Sequence, residues 1–131
     1  LLIAQEFMPT PFDWRVGVFN GQALYVCKYF MARNHWQIID WKKSGKAQEG
    51  KSETYAIADV PKALISTALK ATKLIGNGLY GVDIKEVNKK FYVIEVNDNP
   101  NLDAGIEDKI LKNRLYETIM ETMMDRVKIK Q

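Results

Sequence analysis

Apolar residues recur along this chain with two periods, and each period predicts a different kind of secondary structure. Runs rich in β-branched and aromatic residues predict three early strands, over residues 1–8, 16–19 and 23–30. Asn20-Gly21, between the second and the third of these strands, is a strong hairpin signal. A further strand is expected over 35–41, and the polar stretch 42–52 predicts a basic loop.

Two later stretches have apolar residues at three- and four-residue steps, which predicts helices. The first helix is expected from about Val60 to Ile75, with Pro61 near its start and Gly76 at its end. The second follows Gly105, and we expect its apolar stripe to pack into the core. That stripe consists of Ile110, Leu111, Leu115, Tyr116, Ile119, Met120, Met123 and Met124. This order of elements predicts an α+β fold, a mostly antiparallel sheet with helices packed on one side.

Between the two helices lies a second predicted hairpin, which has oxygen-bearing side chains where a purely structural sheet would have apolar ones. Asp83 lies on its first strand, and Glu95 and Asn97 lie on its second. Side chains alternate along a strand, so Glu95 and Asn97 share one face. We expect Phe91 and Val93 on that same face.

The loop of this hairpin decides which residues face each other across it. A three-residue loop, Asn88-Lys89-Lys90, would place Asp83 directly opposite Glu95. Two facing carboxylates destabilise a sheet unless a cation or a shared proton lies between them. Together with the amide of Asn97 they form an all-oxygen set that suits Mg²⁺ or Mn²⁺ and leaves positions for phosphate oxygens. The alternative is that both carboxylates are solvated side chains on an exposed face.

Composition narrows the function classes. A chain of 131 residues with 47% hydrophobic content fits one globular domain with a real core. The 19 basic and 16 acidic residues are interspersed and leave a net charge of +3, so nothing calls for a nucleic-acid ligand. Cys27 is the only cysteine, which excludes an internal disulfide and favours a buried, inert thiol in a reducing cytoplasm. The apolar run at the start is too short for a membrane span or a signal peptide.

The metal-site frames resemble those of a known superfamily. Asp83, Glu95 and Asn97, within Gly-Val-Asp and Ile-Glu-Val-Asn-Asp-Asn-Pro, resemble the magnesium-binding end of ATP-grasp enzymes. Asn97 with Pro100, followed by Gly105-Ile106-Glu107, is similar to the RimK-like branch, whose members join an amino acid to a carboxylate.

An upstream motif supports the same resemblance. Residues 4–8, followed by Asp13-Trp14-Arg15, resemble the superfamily's adenine-binding hinge strand and its Asp-x-Arg motif. The resemblance covers nearly the whole chain. It implies that residues 1–131 form a single domain, the C-terminal portion of an ATP-grasp domain truncated upstream of residue 1.

The resemblance also implies roles for these upstream residues. The backbone of Gln5, Phe7 and Met8 would bind adenine, and Glu6 or Asp13 would accept hydrogen bonds from the ribose. Arg15 would bind phosphate and the acylphosphate intermediate, a task for which a planar, permanently charged guanidinium is suited. Two alternatives stay open: Glu6 is an ordinary edge carboxylate, and Arg15 forms a rim ion pair with Asp13.

The function implied by the resemblance is ligation of a carboxylate to an amine with consumption of Mg-ATP, in which the metal held by Asp83, Glu95 and Asn97 bridges the triphosphate. Its partners would be ATP, the two substrates and the upstream ATP-grasp subdomain, and we expect the 131-residue fragment alone to be inactive. Two other functions remain open, a non-catalytic nucleotide- or metal-binding module and a basic domain for polyanions. The basic domain would use Lys42, Lys43, Lys46 and Lys51. The sequence leaves the parts played by Lys28 and His35 undecided.

Overall fold

The computed structural model describes residues 2–31, 39–41, 47–49 and 51–129, with the backbone alone for 39–41 and 47–49. Its seven described strands are β1 Phe12–Phe19, β2 Gln22–Phe30, β3 Ile39–Trp41, β4 Ala47–Glu49, β5 Ser52–Tyr55, β6 Leu79–Val87 and β7 Lys90–Asn97. The helices are a short 3₁₀ turn at Ile57–Asp59, α1 at Lys62–Lys73 and α2 at Asn113–Ile129. In this described part, neither α-helix has the length and apolar character that crossing a membrane requires.

Five strands form one antiparallel sheet in the order β5-β2-β1-β6-β7, and β3 pairs with β4 in a separate two-stranded sheet. Asn20 and Gly21 link β1 to β2 with φ angles of 51° and 72°, the left-handed conformation that a two-residue hairpin turn needs. The first predicted hairpin is therefore confirmed. The strand expected over 35–41 is described only at 39–41, where the backbone is extended; 35–38 lie outside the described residues.

Helix α1 covers one face of the five-stranded sheet, which we call the α1 face. It presents Leu64 and Ala68, both buried, to apolar side chains of the three central strands. The strand residues of this core are Trp14, Val16, Val18, Val26, Val82 and Ile84. The helix lies within the predicted range 60–75, because Pro61 precedes its first turn and Gly76, with φ 153°, follows its last.

The opposite face, which we call the carboxylate face, is partly covered by α2 and by the chain that precedes it. Leu115 of α2 is fully buried there, against Phe19, Leu24, Tyr25 and Cys27 of the sheet. Burial raises the pKa of the Cys27 thiol to about 11, which keeps it protonated near neutral pH and fits the expected inert thiol. The α+β class and the antiparallel sheet are confirmed. The sheet nevertheless separates the two helices, which we had expected on one side.

Three further expectations from the sequence need correction. Residues 2–8 form no strand: Leu2 is 99% exposed, and no described strand pairs with this segment, which Pro9 and Pro11 separate from β1. The stretch 42–52 is not one loop, since β4 lies within it and β5 begins at its end.

The third correction concerns the apolar stripe of α2. The helix begins at Asn113 and not directly after Gly105, so Ile110 and Leu111 precede it in a series of turns. Leu115 is buried, and Leu111 and Ile119 are partly buried, as predicted. Met120, Met123 and Met124, in contrast, are exposed, because the helix meets the sheet only along the side that carries Leu115. Periodicity identified the helix but overestimated the width of its buried face.

Arg126 attaches the far end of α2 to two turns of the sheet. Its Nη2 donates to Asn20 Oδ1 at 2.9 Å and to the Asn77 carbonyl at 2.5 Å. Its guanidinium also lies over the Phe19 ring, 5.1 Å from the centroid. The helix is therefore held near both of its ends.

Candidate functional site

The hairpin of β6 and β7 places Asp83 opposite Glu95 by a route that differs from the predicted one. Its turn has two residues, Asn88 and Lys89, with φ angles of 51° and 61°, so Val87 pairs with Lys90. The register then shifts by one residue at a β-bulge, where Ile94 is the additional residue of β7. The shorter turn and the bulge compensate each other, and the two carboxylates face one another as expected.

The bulge also reverses the side-chain alternation along β7. Phe91 and Val96 both pack against the core of the α1 face, although one has an odd number and the other an even number. The expectation that Phe91 and Val93 share a face with Glu95 is therefore wrong. Tyr92, which pairs with Lys85, lies on the side of Glu95 instead.

Arg15 and Asp83 form a two-pronged ion pair at the centre of the carboxylate face. Arg15 Nε donates to Asp83 Oδ1 at 2.7 Å, and its Nη2 donates to Oδ2 at 2.8 Å. The side chains are only 17% and 18% exposed. These hydrogen bonds raise the pKa of Arg15 by more than burial lowers it. In the described residues no other acceptor binds the guanidinium, which leaves three of its five N–H groups for a ligand.

A second ion pair lies beside the first, between Lys85 of β6 and Asp13 of β1. Lys85 Nζ approaches Asp13 Oδ1 at 2.5 Å and Thr10 Oγ1 at 2.8 Å, and Thr10 Oγ1 donates to Asp13 Oδ1 at 3.1 Å. The alternative of a rim pair between Arg15 and Asp13 is therefore not what the structure contains. Within the described residues, no donor binds Asp13 Oδ2, which can accept a further hydrogen bond.

A cavity of about 640 Å³ opens on this face and brings most of the predicted residues together. Among its walls are Gln5, Glu6, Phe7, Met8, Asp13, Asp83 and Glu95. Lys85, Tyr92 and Met31 complete the polar and apolar lining, together with residues 93 and 94. Its volume lies within the range of about 300–1,000 Å³ that small-molecule sites occupy.

The metal ligands that we predicted have the right chemistry for a hard cation. Glu95 is exposed to the cavity, and each oxygen of Asp83 keeps a lone pair beyond its bond with Arg15. Asn97 lies opposite Gly81, on the strand of Glu95, and its Oδ1 accepts the backbone N–H of Asn99 at 2.8 Å. The described residues contain no cluster of three His, Cys, Asp or Glu side chains arranged to hold a metal. Two carboxylates and an amide nevertheless fit Mg²⁺, which usually retains several waters.

Gly81 allows the chain after β7 to approach Arg15. A Cβ atom at Gly81 would lie 2.8 Å from Pro100 Cβ, which is closer than side-chain atoms can come, and 3.7 Å from Arg15 Cδ. Pro100 is buried there. The glycine of the Gly-Val-Asp frame is therefore needed for close packing beside the ion pair.

Two residues near the site escaped the sequence interpretation. Lys85 shares a face with Asp83 by simple alternation, so the pattern contained a signal that we did not use. Glu107 belongs to the Gly-Ile-Glu frame, but the sequence did not assign it a role. It is fully buried, and it accepts hydrogen bonds from the Tyr29 hydroxyl and from the backbone N–H of Asp103 at 2.7 Å.

The remaining residues whose roles the sequence left undecided are Lys28, His35 and the lysines of the possible polyanion-binding domain. Lys28 lies on the α1 face, away from the carboxylate pair, with its Nζ 4.3 Å, 4.5 Å and 5.2 Å from the ring centroids of Phe12, Trp14 and Tyr55. It therefore does not point toward the cavity. His35, Lys42, Lys43 and Lys46 lie outside the described residues, and Lys51 is exposed.

A second cavity, of about 540 Å³, lies between the 3₁₀ turn and α1. Its walls are mainly apolar, with Ile57, Val60, Ile65 and Leu69 among them, and its charged side chains are the lysines of α1. It has no carboxylate, so it lacks the metal-binding groups that distinguish the first cavity.

Comparison with known families agrees with the motifs. The model of the RimK-like ATP-grasp domain matches residues 43–122, a span that includes Asp83, Glu95, Asn97 and Glu107. The hinge residues and Arg15 lie before this span. No curated protein sequence matches the chain.

Solved ligases have the same fold. D-alanine–D-alanine ligase from Bacillus anthracis aligns with a TM-score of 0.64 and 18% identity, over 95% of this chain and 43% of the ligase. The ATP-grasp ligase PsnB, solved with a minimal precursor, Mg and ADP, aligns with a TM-score of 0.54 and 21% identity, over 88% of this chain and 34% of PsnB. The chain thus spans less than half the length of either ligase.

Proposed function

This chain belongs to the RimK-like ATP-grasp domain family, and we propose that it is the C-terminal portion of the ATP-grasp domain of a ligase. The enzyme would phosphorylate a carboxylate with Mg-ATP and join the resulting acyl group to an amine, as in amino-acid or peptide ligation. The protein would act in the cytoplasm, with the upstream subdomain covering the nucleotide.

One observation carries this proposal: a single cavity collects residues from three separate parts of the sequence. The segment 5–8 forms one wall, Asp13 comes from the start of β1, and Asp83 and Glu95 come from the second hairpin. Arg15 is not part of the lining, but it is bound to Asp83, which is. If Asp83 and Glu95 were only solvated surface carboxylates, the segment 5–8 would not need to enclose them in a cavity. The convergence therefore favours a nucleotide site over an ordinary surface.

The residues of the first wall and of β1 would bind the nucleoside. Backbone groups of Gln5, Phe7 and Met8 would bind the adenine edge. Glu6 and the free Oδ2 of Asp13 are the acceptors for ribose hydroxyls. Lys85 holds Asp13 Oδ1, so that the carboxylate presents its other oxygen to the cavity.

Asp83, Glu95 and Asn97 would hold Mg²⁺, or Mn²⁺, at the triphosphate. The bound ion would neutralise charge that develops on the phosphoryl oxygens during transfer. Arg15 would use its three free N–H groups to bind the transferred phosphoryl group.

The chemistry has two steps. A carboxylate oxygen of the substrate attacks the γ-phosphorus of ATP, which gives an acylphosphate and ADP. The amine nitrogen then attacks the acyl carbon, inorganic phosphate leaves, and the nitrogen loses a proton. Arg15 is the catalytic residue of this chain, because it would contact the phosphoryl group in both steps.

The test uses the intact protein, Mg-ATP, pools of carboxylic acids and hydroxylamine, which converts an acylphosphate to a hydroxamate. We expect ADP and hydroxamate to form only with acids that are substrates, and Asp83→Asn to abolish both. Asp125→Asn, at a 71% exposed side chain on α2, is the matched control and should behave as wild type. Nucleotide binding without ADP formation with any acid would overturn the ligase and favour the non-catalytic module.

A further inference from the structure

Tyr29 lies between the catalytic arginine and the buried glutamate, and it contacts both. Its ring faces Arg15, with the guanidinium carbon 5.2 Å from the ring centroid. Its hydroxyl donates to Glu107. In the sheet, Tyr29 pairs with Asp13, so it is the diagonal neighbour of Arg15 across β1 and β2.

Glu107 is an unusual residue to find at 0% exposure, because a buried carboxylate is costly unless donors satisfy it. Tyr29 and the backbone N–H of Asp103 supply the two hydrogen bonds, one to each oxygen. No cation of the described residues forms an ion pair with it. Burial and the bond to Glu107 both raise the pKa of Tyr29, so the phenol stays protonated and remains the donor.

We propose that Glu107 and Tyr29 are positioning residues that fix the plane of the Arg15 guanidinium, so that its free N–H groups point at the phosphoryl group. This inference rests on the proposed ligase function and assigns roles to two residues that touch neither the nucleotide nor the metal. The order of contacts is Glu107, Tyr29, Arg15 and Asp83.

The geometry explains why Asp83 alone does not suffice. The pair of hydrogen bonds from Nε and Nη2 fixes one edge of the guanidinium, but the group can still swing with the Asp83 carboxylate. A ring packed on its face removes that freedom. The bond to Glu107 holds the ring in place and increases electron density on the phenol, which strengthens its attraction for the cation.

A competing explanation is that Glu107 only anchors the chain after β7. The structure offers a matched control, because a second and separate bond ties that chain to the sheet. Thr54 Oγ1 donates to the Ile106 carbonyl at 2.7 Å, one residue before Glu107, and it also lies 3.7 Å from the Cys27 thiol. Among the described residues it forms no hydrogen bond with Tyr29 or Arg15. Thr54→Val removes this anchor and keeps the hydrogen bonds of Arg15 with Asp83 and of Tyr29 with Glu107.

The experiment compares Tyr29→Phe, Glu107→Gln, their double variant and Thr54→Val in the intact protein, with steady-state phosphate release as the measure. Each single variant loses the charge-assisted bond between Tyr29 and Glu107, which supports the contact of the Tyr29 ring with Arg15. We expect kcat to fall about tenfold in each, and KM for ATP to stay within about twofold of wild type. The kcat of the double variant should fall no further than that of either single variant, because both substitutions break the same hydrogen bond between Tyr29 and Glu107. Thr54→Val should keep kcat within about twofold of wild type.

A readout independent of turnover is the nuclear magnetic resonance signal of the Arg15 Nε–H. We expect it to be protected from solvent exchange in wild type and in Thr54→Val, and to exchange faster in Tyr29→Phe. If Glu107→Gln fails to fold, kcat and Arg15 exchange in Tyr29→Phe alone still test the positioning role. If the wild type is active, two results would overturn the positioning role. One is a normal kcat in Tyr29→Phe, and the other is a kcat that falls as much in Thr54→Val as in Tyr29→Phe. An inactive wild type would instead overturn the proposed function, and unchanged Arg15 exchange in Tyr29→Phe would then reject this inference separately.

Discussion

Each face of the sheet has a partly buried cation, and the two cations have opposite kinds of surroundings. On the α1 face, Lys28 lies among the rings of Phe12, Trp14 and Tyr55. On the carboxylate face, Arg15 is bound by Asp83 through two hydrogen bonds and keeps three N–H groups. A cation surrounded by rings is enclosed, whereas one bound along a single edge can still bind a ligand.

This difference starts from adjacent residues. Trp14 and Arg15 follow each other on β1, and alternation places Trp14 in the apolar core and Arg15 beside Asp83 on the opposite face. The α1 face therefore contains the larger apolar core, and the carboxylate face contains the residues of the proposed site. Substitutions on the two faces should affect different measurements, and the predictions below test that separation.

The largest effect on stability is expected on the α1 face, at Leu64. Leu64→Ala leaves a cavity against a well-packed core and should lower the free energy of unfolding by about 3 kcal/mol. Urea unfolding measures this loss. Met120→Ala, at a side chain 60% exposed on α2, is the control and should change stability by less than about 0.5 kcal/mol. A loss of similar size at both sites would contradict the core assignment.

On the carboxylate face, Glu95→Gln keeps the size of the side chain but removes a charge from the proposed metal site. We expect phosphate release by the intact protein to fall about 100-fold, or about 2.7 kcal/mol in activation free energy, with unchanged stability. Glu117→Gln, on the exposed side of α2, is the matched control. Near-normal turnover in Glu95→Gln would make Glu95 a surface carboxylate.

Gly81→Ala is expected to change both stability and activity. The added Cβ would displace Pro100, which packs on Gly81 beside the stem of Arg15, so stability should fall by about 2 kcal/mol and phosphate release should fall with it. Thermal unfolding and a steady-state assay on the same preparation check both. A variant that loses activity at full stability would show that Pro100 moves aside easily.

The smallest effect is expected at Lys28. Lys28→Met keeps the apolar stem but removes the charge from the aromatic rings, and stability should fall by about 1 kcal/mol. ATP binding should stay unchanged, because Lys28 does not reach the cavity. Lys90→Met, at an exposed residue of β7, serves as the control in the same unfolding series. Weaker ATP binding in Lys28→Met alone would break the separation of the two faces.

The sequence predicted the elements that depend on local chemistry. Asn20-Gly21 required a two-residue hairpin, and the apolar stripe of α1 required a helix that ends near Gly76. The facing of Asp83 and Glu95 was also predicted, but from a loop one residue too long. The bulge at Ile94 restored the pairing, and a bulge has no signal in a pattern that alternates by two.

The remaining differences arise from contacts between distant parts of the chain. The ion pairs of Arg15 with Asp83 and of Lys85 with Asp13 join residues about seventy positions apart, so spacing cannot reveal them. The role proposed for Glu107 depends on its contact with Tyr29, which is also distant in the sequence. Exposure of Met120 depends on how α2 is oriented on the sheet, which its own periodicity does not fix.

The attachment of Arg126 has a consequence for amide hydrogen exchange in α2. A helix held at one end frays from the other, and its amides exchange in order from the loose end. Leu115 holds α2 near its start, and Arg126 holds it near its finish through Asn20 and Asn77. Deuterium should therefore enter the middle turns mainly when the whole helix detaches, even though the methionines there face solvent.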